Sequence, residues 1–255
     1  YKNVKINVLD TSGHPDFICD TLSTMQAAEM ALFVVDAVAG PQVMTTKLWR
    51  EAEGMRLSRA VFINHIDREH ADFDMAMATL HARFGSRLGP VTIPIGQDAD
   101  FKGVIDIIRM EARYFGEGDD SERIEPIPAE FADAAQAARD KLCDLVAEAD
   151  DELMMKYLEG EEQLTQNELE SLLDKAIAQE LFIPVFVGST IIKQGIQGLM
   201  EDICTYFPHP RSHGRFQMAD GTSIPIDETN RPAAFAFKTL SDPFVGRLSF
   251  LKVLS

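Results

Sequence analysis

The segment Asp10-Thr11-Ser12-Gly13-His14 combines residue types that suit chemistry on a metal-bound phosphate. It follows the apolar run of residues 6–9, so the pattern predicts that it lies at the end of a strand. The Asp10 carboxylate suits a position near Mg²⁺, and Gly13, which lacks a Cβ, allows its backbone N–H to approach a phosphate oxygen. His14 has a side chain that can orient or polarise a water molecule. The D-x-x-G spacing is common by itself, so its meaning depends on the segments that follow.

A second polar segment, Asn64-His65-Ile66-Asp67, follows another apolar run. A carboxylate such as that of Asp67 can accept two hydrogen bonds from N1–H and the exocyclic amine of guanine, whereas adenine has no matching pair of donors. A site with a buried acceptor rejects a ligand that lacks the donor, because the acceptor is then left unpaired. We expect Asn64 to bridge loops around the base.

A third polar segment, Gly188-Ser189-Thr190, also follows an apolar run. Its backbone N–H groups are expected to point at the guanine carbonyl. Each of the three segments is, taken alone, more often an ordinary turn. Their order along the chain, each after a buried strand, is unlikely by chance and favours a shared site.

The elements that must position these segments alternate between short apolar strands and amphipathic helices. Such alternation predicts a parallel sheet with helices on both faces, in which ligands bind beyond the carboxyl ends of the strands. Asp36 lies at such an end and is either a site residue or, more simply, a polar strand stop. The strands are predicted at 4–9, 31–36, 60–64, 91–95 and 183–187, and the helices near 42–55, 72–84 and 195–207.

The pattern changes between residues 97 and 180, which interrupt a domain formed by 1–96 and 181–210. The segment begins with predicted strands over 101–115 and a charged loop at 116–120. A long helix is predicted over about 129–158, and a second one starts at Thr165 with Glu168 in a T-x-x-E capping box. Residues 211–230 are polar and predict a linker, and 231–255 begin a β-rich second domain.

The negative charge is concentrated in one part of the chain. Residues 117–180 hold 20 acidic and five basic side chains, whereas the whole chain has a net charge of −17. This segment is expected to repel bare nucleic acid and to attract a basic protein surface. The alternative is a pair of charged helices that face solvent.

Composition indicates a globular protein, since 45% of the 255 residues are hydrophobic. The sequence has no run of eighteen apolar residues, so no transmembrane helix is predicted. Three scattered cysteines, Cys19, Cys143 and Cys204, favour reduced thiols in a cytoplasmic protein over a disulfide framework or a zinc site. Because the chain does not begin with Met, we expect it to be a fragment of a longer protein or a processed form.

Together these motifs resemble the translation GTPases and, within them, elongation factor G. The resemblance covers nearly the whole chain and rests on residues 6–17, 64–68, 94–96, 156–161, 184–189, 206–210 and 237–248. It implies an α/β fold, the G domain of P-loop GTPases, in which a mostly parallel sheet is flanked by helices. It also implies that 97–180 is an α+β insert subdomain and that 231–255 starts a β-barrel domain.

The resemblance implies ribosome-dependent hydrolysis of GTP that drives translocation, with GTP or GDP and Mg²⁺ as ligands. Asp10 would hold Mg²⁺ through water, the Gly13 N–H would contact the γ-phosphate and His14 would position the attacking water. Guanine would be bound by Asn64, His65 and Asp67, with Ser189 at its carbonyl. The implied partners are the ribosome and its stalk protein, the latter through the acidic insert. The protein is expected to be a cytoplasmic monomer that binds neither a membrane nor a specific nucleic-acid sequence.

The chain departs from the family pattern at three points. His65 replaces the lysine of N-K-x-D; because imidazole can stack on a purine, altered or weaker binding is expected rather than none. Ser12 replaces the proline of D-T-P-G-H and is expected to loosen this loop, the second switch. No G-x-x-x-x-G-K-[ST] sequence occurs in the 255 residues, so by themselves they are predicted neither to bind GTP tightly nor to hydrolyse it.

Three alternatives remain open at the sequence level. One is a diverged paralogue that binds the ribosome with weak or no turnover, which His65 favours. A ribosomal-protection or release-type factor is disfavoured by the long acidic insert. An ATP-using relative is disfavoured by Asp67.

Overall fold

A four-stranded parallel sheet forms the centre of the computed structural model, which describes residues 1–115, 122–159, 164–218, 221–226 and 232–254. Within these residues the helices are α1 (Ile18–Met25), α2 (Val43–Gly54), α3 (Phe73–Phe84), α4 (Ala132–Ala147), α5 (Asp151–Glu159), α6 (Gln166–Ala178) and α7 (Ile196–Tyr206). The strands are β1 (Met30–Asp36), β2 (Ser58–Asn64), β3 (Leu88–Pro90), β4 (Thr92–Ile95), β5 (Gly103–Asp106), β6 (Glu111–Phe115), β7 (Glu122–Glu125), β8 (Ile183–Val187), β9 (Arg215–Gln217), β10 (Ser223–Pro225), β11 (Ala234–Asp242) and β12 (Gly246–Val253). The predicted charged loop at 116–120, the end of the 156–161 match and parts of the predicted linker lie outside the described residues.

The parallel sheet has the strand order β1-β2-β8-β3 and carries helices on both faces. Phe33, Val61 and Ile63 pack with α2 and α3 on one face, and Phe62 and Phe186 pack with α4, α6 and α7 on the other. All seven residues of β2 are buried, as expected for a strand enclosed by neighbours and by two layers of helices. The predicted α/β fold with a parallel sheet flanked by helices is confirmed.

The edge strand β1 is covered on one face only. Phe33 and Val35 are buried, whereas Leu32 and Val34, which point to the opposite face, are 39% and 59% exposed. The expected burial of both faces therefore holds for β2 and β8 but is wrong for β1.

The predicted strand at 4–9 is absent, since residues 1–13 contain no strand. Val8 is 80% exposed. A strand needs the backbone of a neighbouring strand as its hydrogen-bond partner. Apart from a turn between Val4 and Tyr1, residues 1–13 make no backbone–backbone hydrogen bond within the described chain. An apolar run is therefore not sufficient to form a strand here.

The predicted strand at 91–95 does not belong to the parallel sheet: residues 92–95 form β4 of another sheet, and the strand of the parallel sheet precedes them at 88–90. Strand β3 joins the parallel sheet, and β4 joins an antiparallel sheet with the order β4-β5-β6-β7. Val91 connects the two, because its N–H donates to the carbonyl of Val185 and its carbonyl accepts from Ile107 N–H, both at 2.9 Å. The antiparallel sheet thus begins before residue 97, and α4 and α6 share a core with the parallel sheet. The domain division at 97 and 180 stays a prediction.

The prediction of one continuous helix over 129–158 is wrong, because two helices occupy this segment. A 3₁₀ turn leads into α4, which ends at Ala147, and α5 begins at Asp151. Asp150 causes the break, because its carboxylate accepts hydrogen bonds from the backbone N–H groups of Glu152 and Leu153 at 3.1 and 3.2 Å. Such a side chain caps the start of a new helix.

The predicted capping box at the start of α6 is confirmed. Thr165 and Glu168 each accept a hydrogen bond from the other's backbone N–H.

The hairpin formed by β11 and β12 follows the parallel-sheet domain and contacts α1. Lys238 Nζ lies 3.0 Å from Asp20 Oδ2, and Lys252 pairs with Glu29. The additional antiparallel strands agree with the predicted start of a β-barrel-like domain. Among the described residues, no helix combines the length and the apolar content needed to cross a membrane.

Candidate functional site

Three strand ends meet at one edge of the parallel sheet. Asp36 ends β1, Asn64 ends the neighbouring strand β2, and Gly188 follows β8 on the other side of β2. Because these strands are parallel and adjacent, their carboxyl ends lie side by side. This edge therefore brings together polar residues that are far apart in the sequence.

Asn64 connects the loop after β2 to the loop after β8. It is 7% exposed, and its Oδ1 accepts hydrogen bonds from the backbone N–H groups of His65 at 2.9 Å and Thr190 at 3.0 Å. A backbone N–H can only donate, so these two bonds set the orientation of the Asn64 amide. Its Nδ2 then donates to the Thr190 hydroxyl at 3.2 Å. Asn64 thus joins two loops, in agreement with the sequence-based expectation.

His65 lies between Asp36 and Asn64. Its Nδ1 is 2.9 Å from Asp36 Oδ2, and its Nε2 is 3.4 Å from Asn64 Nδ2. Its backbone is in the left-handed region with φ at +64°, where histidine is more frequent than most residues. Both ring nitrogens are engaged within the protein, so only the ring faces are left for stacking on a base.

Asp36 has more contacts than a simple strand stop would need. Its Oδ1 accepts from the backbone N–H groups of Val38 and Ala39 at 3.0 and 2.9 Å, and its Oδ2 contacts His65 and Arg68, each at 2.9 Å. Burial alone would raise the pKa of Asp36, but these hydrogen bonds and the Arg68 charge lower it below its usual value. In the sequence, the signal for these contacts is the position of Asp36 at a strand end, like that of Asn64.

Asp67 carries the most informative atom of this edge. Its Oδ1 is buried and has no hydrogen-bond partner among the described residues. A buried acceptor that lacks a partner costs about 1–3 kcal/mol. The atom therefore suits a donor that comes from a ligand.

Ser189 lies inside the loop after β8. Ser189 is completely buried, its backbone N–H donates to the Gln194 carbonyl at 3.0 Å, and its hydroxyl accepts from the Ile191 N–H at 3.3 Å. The N–H groups of Gly188 and Thr190 are likewise bonded within the protein. The expected contact between Ser189 and a guanine carbonyl stays a prediction; in this structure the Ser189 amide hydrogen is used within the loop.

Gly188 is required by this same loop. A Cβ at position 188 would overlap the carbonyl oxygen of Gln194. The chain therefore turns back on itself at a distance that only glycine permits.

The segment from Asp10 to His14 is exposed and makes mainly local contacts. The His14 N–H donates to Ser12 Oγ at 3.1 Å, and His14 Nδ1 accepts from the Asp16 N–H at 3.4 Å. The His14 side chain is 62% exposed. Gly13 has no protein atom within 4 Å of the position that a Cβ would take, so packing within the chain does not explain the glycine.

A cleft of about 210 Å³ adjoins this segment and is lined in part by Asp10, Ser12, Asp20 and Lys238. No hydrogen bond joins residues 10–14 to residues 64–67 in the described part of the chain. The described residues also contain no cluster of three or more histidine, cysteine or acidic side chains that would hold a metal ion without other ligands. The structure thus brings Asn64, His65 and Asp67 together and keeps Asp10, Gly13 and His14 on a separate segment.

Residues 1–209 match the family model described as the elongation factor Tu GTP-binding domain. The chain belongs to this family. It is also similar to a protein from Thermus thermophilus whose crystal structure is known, with 28% sequence identity and a TM-score of 0.81. That similarity covers 94% of this chain and 34% of the other, so this chain spans about a third of the length of that protein.

Membership in this family of GTP-binding domains makes a guanine nucleotide the expected ligand, and two features of the site fit it. The buried, unpaired Oδ1 of Asp67 suits a guanine N–H donor. Asp10 provides a carboxylate beside an open cleft that Asp20 also lines. This arrangement suits Mg²⁺ because the ion keeps several water ligands and binds phosphate oxygens as well.

Proposed function

We propose that the protein is a ribosome-dependent translational GTPase of the elongation factor G type, which acts in translocation. The observation that carries the proposal is the Asp67 Oδ1 atom, a buried acceptor without a partner among the described residues, at the shared ends of β1, β2 and β8. Family membership over residues 1–209 supports the same reading.

In this proposal the loop after β2 reads the base. Asp67 accepts hydrogen bonds from N1–H and the exocyclic amine of guanine, and Asn64 holds the two surrounding loops together. His65 offers a ring face to the purine. Since adenine lacks the matching donors, it would leave the Asp67 carboxylate unpaired, which accounts for a preference for GTP over ATP.

The segment from Asp10 to His14 acts on the phosphates. Asp10 would hold Mg²⁺ through water, and the Gly13 N–H would contact the γ-phosphate, for which the open space around Gly13 provides room. When bound, Mg²⁺ neutralises charge on the phosphate oxygens. His14 has its Nδ1 engaged by the Asp16 N–H, so Nε2 is the atom that contacts and orients the attacking water.

The proposed partners are the ribosome and, through the acidic segment 97–180, the ribosomal stalk protein. The 15 excess negative charges of residues 117–180 support a basic partner surface and argue against nucleic acid as a ligand of that segment. We place the protein in the cytoplasm as a monomer that uses neither a membrane nor sequence-specific nucleic acid. The 255 residues lack a G-x-x-x-x-G-K-[ST] sequence, so alone they are proposed not to hydrolyse GTP.

A second candidate function is a ribosome-binding factor with weak or no hydrolysis. The observation that favours it is His65, whose ring nitrogens are both bonded to protein side chains where the family pattern has a lysine. Ribosome-stimulated phosphate release from GTP by the full-length protein separates the two functions. Release well above that of ribosomes alone supports the first, and ribosome binding without release supports the second.

The base-reading assignment is tested by the substitution Asp67→Asn in the full-length protein. We expect affinity for a fluorescent GDP analogue to fall by roughly 10²-fold, since hydrogen bonds to a charged group contribute about 1.5–3 kcal/mol each. Asp74→Asn, an exposed position at the start of α3, is the matched control. If Asp67→Asn leaves the preference for GTP over ATP unchanged, Asp67 does not read the base.

A further inference from the structure

The Asp36 carboxylate bonds to residues on both sides of Asp67. Its Oδ2 contacts His65 Nδ1 and Arg68 Nη1, each at 2.9 Å. These two residues flank Ile66-Asp67 in the sequence, and the Ile66 N–H is bonded to the carbonyl of Gly188 at 3.3 Å. A single oxygen, Asp36 Oδ2, therefore holds the residues before and after Asp67, which carries the unpaired acceptor.

The hydrogen-bond network allows only one place for the ring proton of a neutral His65. Asn64 Oδ1 is occupied by two backbone N–H donors, so the atom that faces His65 Nε2 is the donor Nδ2. Nε2 must then accept, and the proton lies on Nδ1, where it points at Asp36 Oδ2. The result is a directed series of hydrogen bonds from Asn64 through the imidazole to Asp36.

The backbone conformation at His65 requires these side-chain hydrogen bonds. A left-handed conformation at a non-glycine residue costs of order 1–3 kcal/mol and persists only where the surroundings enforce it. Here the bonds from Asp36 and Asn64 to the ring enforce it from the side chain. The direction of the following residues, including Asp67, depends on this one left-handed turn.

We infer that Asp36 is a positioning residue for guanine-nucleotide binding: through the Nδ1–H of His65 and through Arg68, it holds the loop Asn64–Asp67 in the conformation that presents the Asp67 carboxylate to the base. The inference rests on the proposed function, since it assigns a role in binding that ligand. It also makes His65, where the family pattern has lysine, a part of the loop support.

The tautomer of His65 gives a test that does not depend on nucleotide. In the full-length protein labelled with ¹⁵N-histidine, two-bond ¹H–¹⁵N spectra at alkaline pH should show His65 with its proton on Nδ1, assigned by loss of the signal in His65→Gly. Asp36→Asn places an amide donor opposite the ring and should move the proton to Nε2. A ring with its proton on Nε2 in the unchanged protein would overturn the inference.

Nucleotide affinity gives the second test. We expect Asp36→Asn and His65→Gly each to weaken binding of a fluorescent GDP analogue roughly tenfold, and the double variant to be little weaker than either single one, because both changes remove one shared interaction. Glycine is chosen at position 65 because it adopts the left-handed conformation without strain.

The matched control is Asp242→Asn. Asp242 accepts hydrogen bonds from the backbone N–H groups two and three residues later, as Asp36 does, but in the β11–β12 turn. This control should leave GDP affinity unchanged. If the unchanged protein binds GDP and Asp36→Asn changes affinity less than twofold, positioning by Asp36 is refuted while the proposed function stands. If the unchanged protein binds no guanine nucleotide, the proposed function itself fails.

Discussion

The two halves of the proposed site are built to very different degrees. The base-reading loop Asn64–Asp67 is buried or half-buried and is bonded to Asp36, which ends β1, and to Thr190, which follows β8. The phosphate segment, residues 10–14, is mostly exposed, and its polar contacts are to Asp16 and Thr21 in the same stretch of chain. Both halves have a polar motif that follows an apolar run, so the motif alone does not account for the difference.

The difference follows from the neighbours of each segment. Strand β2 lies between β1 and β8, so the residues after it have partners on both sides. Residues 1–13 pair with no strand among the described residues, and all of them except Ile6 and Thr11 are exposed. A motif thus acquires a fixed geometry from adjacent strands.

The exposed half should affect chemistry rather than stability. His14→Ala in the full-length protein should lower ribosome-stimulated GTP hydrolysis by about 10²-fold or more, the usual contribution of a positioned acid–base group. GDP affinity and unfolding free energy should not change, because the ring contacts only its own loop. The measurement is phosphate release under single-turnover conditions. His81→Gln on α3 is the control, and a loss below threefold for His14→Ala would remove His14 from the catalytic assignment.

A buried carboxylate on α7, remote from the phosphate segment, should give stability a pH dependence. Asp202 on α7 is 1% exposed, and burial, reinforced by Asp106 and opposed by Arg109, raises its pKa to about 7. Its usual value is 3.8, so the folded state binds the proton more tightly than the unfolded state does. This contribution is complete below about pH 4 and is lost as the pH rises through about 7.

Urea unfolding of Asp202→Asn between these pH values checks this prediction. The variant should remove most of the decline in stability with rising pH, because an amide does not titrate. Asp36→Asn is an informative control, since the pKa of Asp36 is lowered and its stabilising contribution is instead lost as the pH falls. A variant at position 202 that keeps the full decline would exclude Asp202 as its source.

Equivalent truncations in the two halves should have unequal costs. Asn64→Ala removes bonds to two backbone N–H groups at a residue that is 7% exposed, and should lower the unfolding free energy by about 2–3 kcal/mol. Ser12→Ala removes one exposed bond to the His14 N–H and should cost at most about 0.5 kcal/mol. Denaturant titrations of both variants give the comparison, and equal costs would show that the phosphate segment is as firmly built as the base loop.

The sequence predicted the parts of this molecule that depend on local patterns. The strand at 183–187, the Thr165–Glu168 cap and the polar ends of β1 and β2 are all visible as short-range signals. The failures are non-local: the run at 4–9 lacks a partner strand among the described residues, and the run at 91–95 pairs in the antiparallel sheet instead of the parallel one. At the site, the burial of Ser189 depends on the close return of the chain at Gly188, which no local pattern reveals.

The ion pair between Lys238 and Asp20 gives the prediction with the smallest expected effect. It joins the β11–β12 hairpin to α1, the helix that follows the phosphate segment. Its Nζ–Oδ2 distance is 3.0 Å, and the two side chains are 31% and 52% exposed. Exposed pairs of this kind contribute about 0–1 kcal/mol and weaken with salt. A double-mutant cycle with Lys238→Ala and Asp20→Ala, measured by urea unfolding at low and high salt, should therefore give a coupling of about 0.5 kcal/mol or less that disappears at high salt. A coupling above about 1.5 kcal/mol that survives salt would mean that the hairpin fixes α1 and, with it, the loop that follows Asp10. The two halves would then differ in solvent exposure, but both would be well ordered.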